Sequence, residues 1–133
     1  MGLNVIKDSI DLGIVVRDID AMLAFYRDTL GLALIADFDM PGMHMWRIEC
    51  GTTVIKLNRM NKTPEAANPG GGLAGASGIR YFTISATNLR EVTEDCRTAG
   101  YRIIVEPVEI RPGVTISMIE DPEGNWVEFL QPG

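Results

Sequence analysis

An internal repeat constrains this chain more than any other feature. Gly31 has a counterpart in Gly100, 69 residues later, and the Pro41-Gly42 pair has one in Pro112-Gly113, 71 residues later. The same order of elements surrounds both sets, and matching punctuation at a nearly constant offset is the mark of a duplicated structural unit. In the first copy, Ile10 to Arg17 reads as a strand and Asp18 as the N-cap of a helix. Ile19, Leu23, Tyr26 and Leu30 form its apolar stripe, and Gly31 closes it. Strands over 32–39, 43–50 and 52–58 follow, the first two joined by Pro41-Gly42 as a type II turn. The second copy has a strand over 79–86, then a helix capped by Asn88 with Leu89, Val92, Cys96 and Ala99 as its stripe. Gly100 ends that helix, and strands over 101–109, 114–120 and 125–131 complete the copy, with Asp121-Pro122-Glu123-Gly124 as a type I turn.

One βαβββ unit buries only one face of its sheet, because its single helix covers one side. Two tandem units, about 1–59 and 78–133, therefore predict an α+β fold of two curved mixed sheets with helices outside and a cleft between the concave faces. Residues 60–77 hold Pro64, Pro69 and the Gly70-Gly71-Gly72 run without apolar periodicity, which predicts a flexible Gly/Pro-rich linker. No Gly-Lys-Ser/Thr follows the glycines, so they do not form a phosphate loop.

The chain has 133 residues, the size of a single domain that buries its own core. Its net charge of -6 repels phosphate backbones and argues against nucleic acid as a partner. No apolar run reaches the ~18 residues of a membrane span, and the N-terminal residues lack a signal-peptide pattern, so the expected location is the cytoplasm. Cys50 and Cys96 have no metal or redox spacing and read as buried thiols.

Strand alternation assigns residues to the cleft. Leu12, Ile14 and Val16 suit the helix side of the first strand, which turns Asp11 inward. The same argument turns Lys56 inward on the fourth strand, Tyr81 and Thr83 on the fifth, and Trp126 and Glu128 on the last. The third strand reads both ways. With Trp46 and Ile48 on the helix side, Arg47 and Glu49 face inward; in the other register Trp46 lines the cleft. His44, the only histidine, reads as a turn residue at a strand end.

Two stretches carry a family resemblance. Val16-Arg17-Asp18-Ile19-Asp20 with Ala24-Phe25-Tyr26-Arg27-Asp28-Thr29-Leu30-Gly31-Leu32 resembles the opening of vicinal-oxygen-chelate proteins, the glyoxalase/bleomycin resistance/extradiol dioxygenase superfamily. Asp121-Pro122-Glu123-Gly124-Asn125-Trp126-Val127-Glu128-Phe129 is similar to the closing strand of that superfamily. The resemblance implies a small-molecule site, a single domain over 1–133 and a homodimer. It also implies a divalent-metal site at four strand positions, occupied here by Asp11, Lys56, Tyr81 and Glu128. Only Glu128 matches the usual ligand, and a lysine ammonium has donors alone. The expectation is therefore a degenerate site with no metal and no other cofactor, in which Lys56 sits between Asp11 and Glu128.

Two classes of function follow. The first is an enzyme of lyase or isomerase type, with metal-independent acid–base chemistry by Glu128, Tyr81, Lys56 and Asp11 and with ligand contacts from Trp126, Arg47, Glu49, Thr83 and Trp46. The second is a metal-free drug-sequestering protein with an aromatic groove walled by Trp126 and Trp46. The ionisable cluster favours the enzyme.

Overall fold

A computed structural model describes residues 2–133, and the chain divides into two compact units, one ending at Pro64 and one spanning Glu65–Gly133. The first unit contains β1 (Leu12–Val15), α1 (Ile19–Leu23), a π-helical turn (Ala24–Thr29), β2 (Ala33–Met40), β3 (Met43–Cys50) and β4 (Thr53–Met60). Its sheet has the order β1-β4-β3-β2, with β1 parallel to β4 and the other pairs antiparallel. The second unit repeats the plan with β5 (Tyr81–Ser85), α2 (Leu89–Thr98), β6 (Ile103–Arg111), β7 (Val114–Glu120) and β8 (Trp126–Pro132) in the order β5-β8-β7-β6. These two four-stranded mixed sheets, each with its helix, confirm the α+β class and the repeat.

Local chemistry sets the helix ends. The Asp18 carboxylate accepts from Ala21 N–H at 3.0 Å, the predicted N-cap. Gly31 and Gly100 end the helical segments at φ +73° and +89°, where a side chain would be strained. Asn88 does not cap α2 with its side chain; Gln131 Oε1 takes the Leu89 N–H at 2.9 Å instead. The first helix is not α-helical throughout. Leu30 N–H reaches Phe25 C=O at 2.9 Å, five residues back, so the turn is wide. That winding brings Phe25 and Tyr26 together onto the buried side, both fully buried and edge-to-face at 4.7 Å, and adds Phe25 to the predicted stripe, which Met22 of α1 also joins.

Each unit has its own core between helix and sheet. Met22, Phe25, Tyr26, Ile48, Ile55 and Leu57 fill the first. Leu89, Cys96, Ile119, Val127 and Phe129 fill the second, with Thr93 donating to Leu89 C=O and paired with Ser117 at 2.9 Å. Burial raises the Cys96 thiol to about 11 and also raises that of half-buried Cys50, so both stay protonated.

The expected flexible linker is largely built into the second unit. Arg80 Nε donates to Gly72 C=O at 2.7 Å and its Nη2 to Gly70 C=O at 2.5 Å. Asn68 Nδ2 reaches Glu123 C=O and Asn125 Oδ1, each at 3.2 Å. The short 3-10 helix Gly72–Ala74 places buried Gly72 flat against the Trp126 ring. A composition rich in Gly and Pro gives no sequence periodicity for this loop, and Arg80 alone marks its anchor. Among the described residues no helix is long and apolar enough to cross a membrane.

Candidate functional site

Every candidate residue except Trp46 lies on, or at the margin of, the sheet face opposite its unit's helix. In the second unit the register pairs Tyr81 with Trp126 and Thr83 with Glu128, which places all four on the open face. Thr83 Oγ1 donates to Glu128 Oε1 at 2.7 Å, fixing one carboxylate oxygen and leaving the other free. Glu128 is half-buried and Tyr81 is 43% exposed. Trp126 Nε1–H points to Glu120 at 3.3 Å while its ring is sheathed by Gly72.

In the first unit Gly13 pairs with Lys56, Val15 with Asn58, and Arg47 lies directly across the β3–β4 rung from Lys56. Arg47 and Lys56 are both half-buried, and no carboxylate of their unit lies within 4 Å of either. Asp11, just before β1, is held elsewhere. It accepts from Lys7 Nζ at 2.7 Å and from Val54 N–H at 2.8 Å. These bonds, Lys7 first, keep its carboxyl below the usual range, and Lys56 adds only a longer-range pull. The expected direct pairing of Asp11 with Lys56 is thus replaced by an i, i+4 pairing with Lys7. Glu49 is exposed at the end of β3.

The structure resolves the ambiguous third strand. Trp46 pairs with Leu57 and Ile48 with Ile55, so Trp46 is on the helix side and Arg47 on the open face. Trp46 there meets the His44 ring at a tilt, centroids 4.3 Å apart, and lies under the Arg59 guanidinium at 5.0 Å. His44 is no simple turn residue. Its two ring nitrogens meet Asp39 at 2.6 Å and Asp37 at 2.9 Å, and those two bonds raise its pKa. Both carboxylates lie on the same face of β2, an i, i+2 spacing that marks this clamp in the sequence.

Lys56 offers only N–H donors, Asp11 Oδ1 already accepts two bonds, and among the described residues no group of three or more His, Cys, Asp or Glu side chains is arranged to hold a metal. The open face of the second unit offers an anchored carboxylate and a phenol, a pair suited to proton transfer; that of the first unit carries two adjacent cations.

Known proteins share this plan. A probable lactoylglutathione lyase from Synechocystis sp. is 26% identical over 123 residues, covering 87% of this chain and 88% of that protein. A lactoylglutathione lyase of Arabidopsis thaliana is 25% identical over 89% of this chain, which spans only 42% of that protein's length. A glyoxalase family protein from Bacillus cereus superposes with a TM-score of 0.82 at 17% identity, covering 99% of this chain and 98% of that one, which shows the fold. The family model of the Glyoxalase/Bleomycin resistance protein/Dioxygenase superfamily matches residues 8–129, and the chain belongs to that superfamily.

Proposed function

We propose that this protein is a small-molecule lyase or isomerase that works by metal-independent acid–base chemistry. The observation that carries the reading is the Thr83–Glu128 bond at 2.7 Å. It orients a half-buried carboxylate on the same open face as the Tyr81 phenol. In this reading Glu128 takes a proton from the carbon beside a carbonyl, and Tyr81 donates to the carbonyl oxygen as charge develops there. For an isomerisation Glu128 returns its proton to the former carbonyl carbon while the other enediol oxygen gives one back to Tyr81; for a lyase reaction the enol returns its proton to Tyr81 as the β-substituent leaves and takes the proton held by Glu128. The first unit carries two cations, Lys56 and Arg47, on its own open face. The named relatives are a probable and a named lactoylglutathione lyase, so lactoylglutathione is the first compound to try.

A drug-sequestering role draws less support. Trp46 lies on the helix side and Gly72 covers one face of the Trp126 ring, so the two do not form a shared aromatic wall. A panel of glutathione adducts, CoA thioesters, epoxides and cationic drugs, followed by NMR in deuterated water, tests the reading. Deuterium entering a carbon beside a carbonyl in the presence of parent protein, and not of Glu128→Gln, supports it. Tight binding of a cationic drug with no turnover of any panel member sinks it.

The same reading includes a homodimer. β2 and β6 are edge strands that expose Phe38, Met40, Val108 and Ile110. Exposed apolar edges favour pairing. Light scattering at working concentration should give twice the 14.6 kDa chain mass, and a monomer would remove this part.

A further inference from the structure

We propose that the hairpin end of the first unit's sheet binds a soft monovalent metal ion, Cu(I), on the thioethers of Met40, Met43, Met45 and Met60. Met43 is at the centre of the set. The β2–β3 register pairs it with Met40, and the β3–β4 register pairs it with Met60. Directly paired residues project to one face of a sheet, and so do residues two apart on a strand, which adds Met45. Met43 therefore has a methionine neighbour on three sides. Opposed side chains have Cβ atoms about 5 Å apart. Each methionine has three rotatable bonds through which its sulfur can turn toward a shared point. The set is separate from the ionisable strand positions. Met60 is four residues beyond Lys56 on β4, roughly 13 Å along the strand.

Two observations distinguish these methionines from ordinary packing. The first is the repeat. The corresponding row of the second unit is Arg111, Val114 and Pro132, with Ile116 in the place of Met45. The same hairpin end thus closes without any methionine, so the fold does not account for the four. The second is exposure. Met22, under the sheet's helical cover, is fully buried, whereas Met40 is 38% exposed and Met43 and Met60 are half-buried. Thioether chemistry then names the ion. A thioether sulfur is uncharged and only a weak acceptor, so it offers little to Mg²⁺ or Ca²⁺, which take oxygen ligands. Soft thioethers select Cu(I). No carboxylate, imidazole or thiol is among the four positions. His44 lies between Met43 and Met45 in sequence but projects to the opposite face, where Asp37 and Asp39 hold it.

This site shares no residue with the acid–base reading and goes beyond it. Its test is a titration followed by NMR of labelled methionine methyl groups. The Cys50→Ser protein is used, which removes the half-buried thiol and leaves fully buried Cys96. Silver(I) nitrate in chloride-free buffer is the probe, a soft ion that does not change oxidation state. The methyl signals of Met40, Met43, Met45 and Met60 should shift and saturate at a single equivalent, while those of Met22 and Met118 stay. Cu(I) delivered anaerobically from its bicinchoninate complex should move the same signals, and Zn(II) should move none. Met43→Leu keeps the volume and removes the central sulfur. It should weaken Ag(I) binding at least as much as the loss of an outer-shell partner does, roughly 10–100-fold. Met40→Leu combined with Met60→Leu should abolish saturation, and Met118→Leu should leave binding as it is. Thermal melts confirm that each variant is folded. Methyl shifts that never saturate, saturation that survives both the Met43 and the double variant, or an equal response to Zn(II) overturns the site. Shifts confined to the surroundings of Cys96 assign the ion to the thiol and overturn it as well.

Discussion

Thr83 holds Glu128 across the β5–β8 rung, hydroxyl to carboxylate oxygen, at 2.7 Å. The bond lies on the open face, away from the core under α2, so its loss leaves the fold intact. Thr83→Val should change stability by no more than about 1 kcal/mol, the scale of one solvent-accessible hydrogen bond. Turnover should fall about tenfold, because the carboxylate is no longer fixed in one orientation. Glu128→Gln and Tyr81→Phe should fold as the parent does and lose about 10²–10⁴ in kcat, the usual worth of a positioned acid or base. Circular dichroism melts and steady-state kinetics check all three, and full activity in either of the last two variants would move the site elsewhere.

Gly72 meets the Trp126 ring face-on. A Cβ at residue 72 would fall within the ring's van der Waals surface, and its φ of +55° already disfavours a side chain. Gly72→Ala should therefore destabilise the second unit by about 1–3 kcal/mol, the cost of overpacking. It should also shift Trp126 fluorescence as the indole becomes wetter. A Trp46→Phe background isolates that signal. An unchanged melt would mean that the loop lifts off freely and that the two Arg80 bonds do not anchor it.

The repeat made most of the fold legible. Strand limits at Met43–Cys50 and Val114–Glu120 follow directly from the Pro-Gly turns that precede them, and the facing of Ile55, Leu57, Val127 and Phe129 follows from alternation. Four features escaped sequence reasoning for separate physical reasons. The π-helical turn at Ala24–Thr29 breaks the 3.6-residue period that the apolar stripe was read against. The glycine loop is held by side-chain-to-backbone bonds from Arg80, which leave no hydrophobic pattern. Asp11 has a cation four residues before it in Lys7, in a segment with no regular structure, whereas the reading sought its partner on a neighbouring strand. The side-by-side cations were hidden by the third strand's ambiguity. Once Trp46 is on the helix side, Arg47 must face the same way as Lys56.

His44 makes stability depend on pH in a defined direction. Bonds to Asp39 and then Asp37 raise its pKa above the ordinary 6.5, against a smaller opposing effect of burial. A group whose pKa is raised on folding contributes stability that is fully present below the unfolded value and is lost as pH rises through the folded value. The parent should therefore lead His44→Gln most clearly below about pH 6, and the lead should shrink steadily toward pH 9. Added salt should reduce it further, because Asp39 is 94% exposed. Urea melts of both proteins at pH 5.5, 7 and 9 give the comparison, and a lead that grows with pH would contradict the clamp.

Lys56→Met separates two pictures of the first unit. Were Lys56 a buried counter-ion between carboxylates, its removal would cost about 3–5 kcal/mol. The structure gives Asp11 its own partners, Lys7 and the Val54 N–H, and puts Arg47 across the rung from Lys56. Removing the ammonium then relieves a like-charge contact and costs only its longer-range pull on Asp11, which keeps both of its bonds. The aliphatic part of Met retains most of the packing of the lysine stem. The expected change is within about 0.5 kcal/mol of zero, with stabilisation the more direct outcome of lost repulsion. Salt provides the signature: screening weakens the Arg47–Lys56 repulsion in the parent, so any advantage of the variant should fade between about 0.05 and 1 M sodium chloride. Denaturant melts of both proteins across that range make the measurement. A loss of several kcal/mol in the variant, recovered in part as pH falls and a carboxylate protonates, would restore the counter-ion picture.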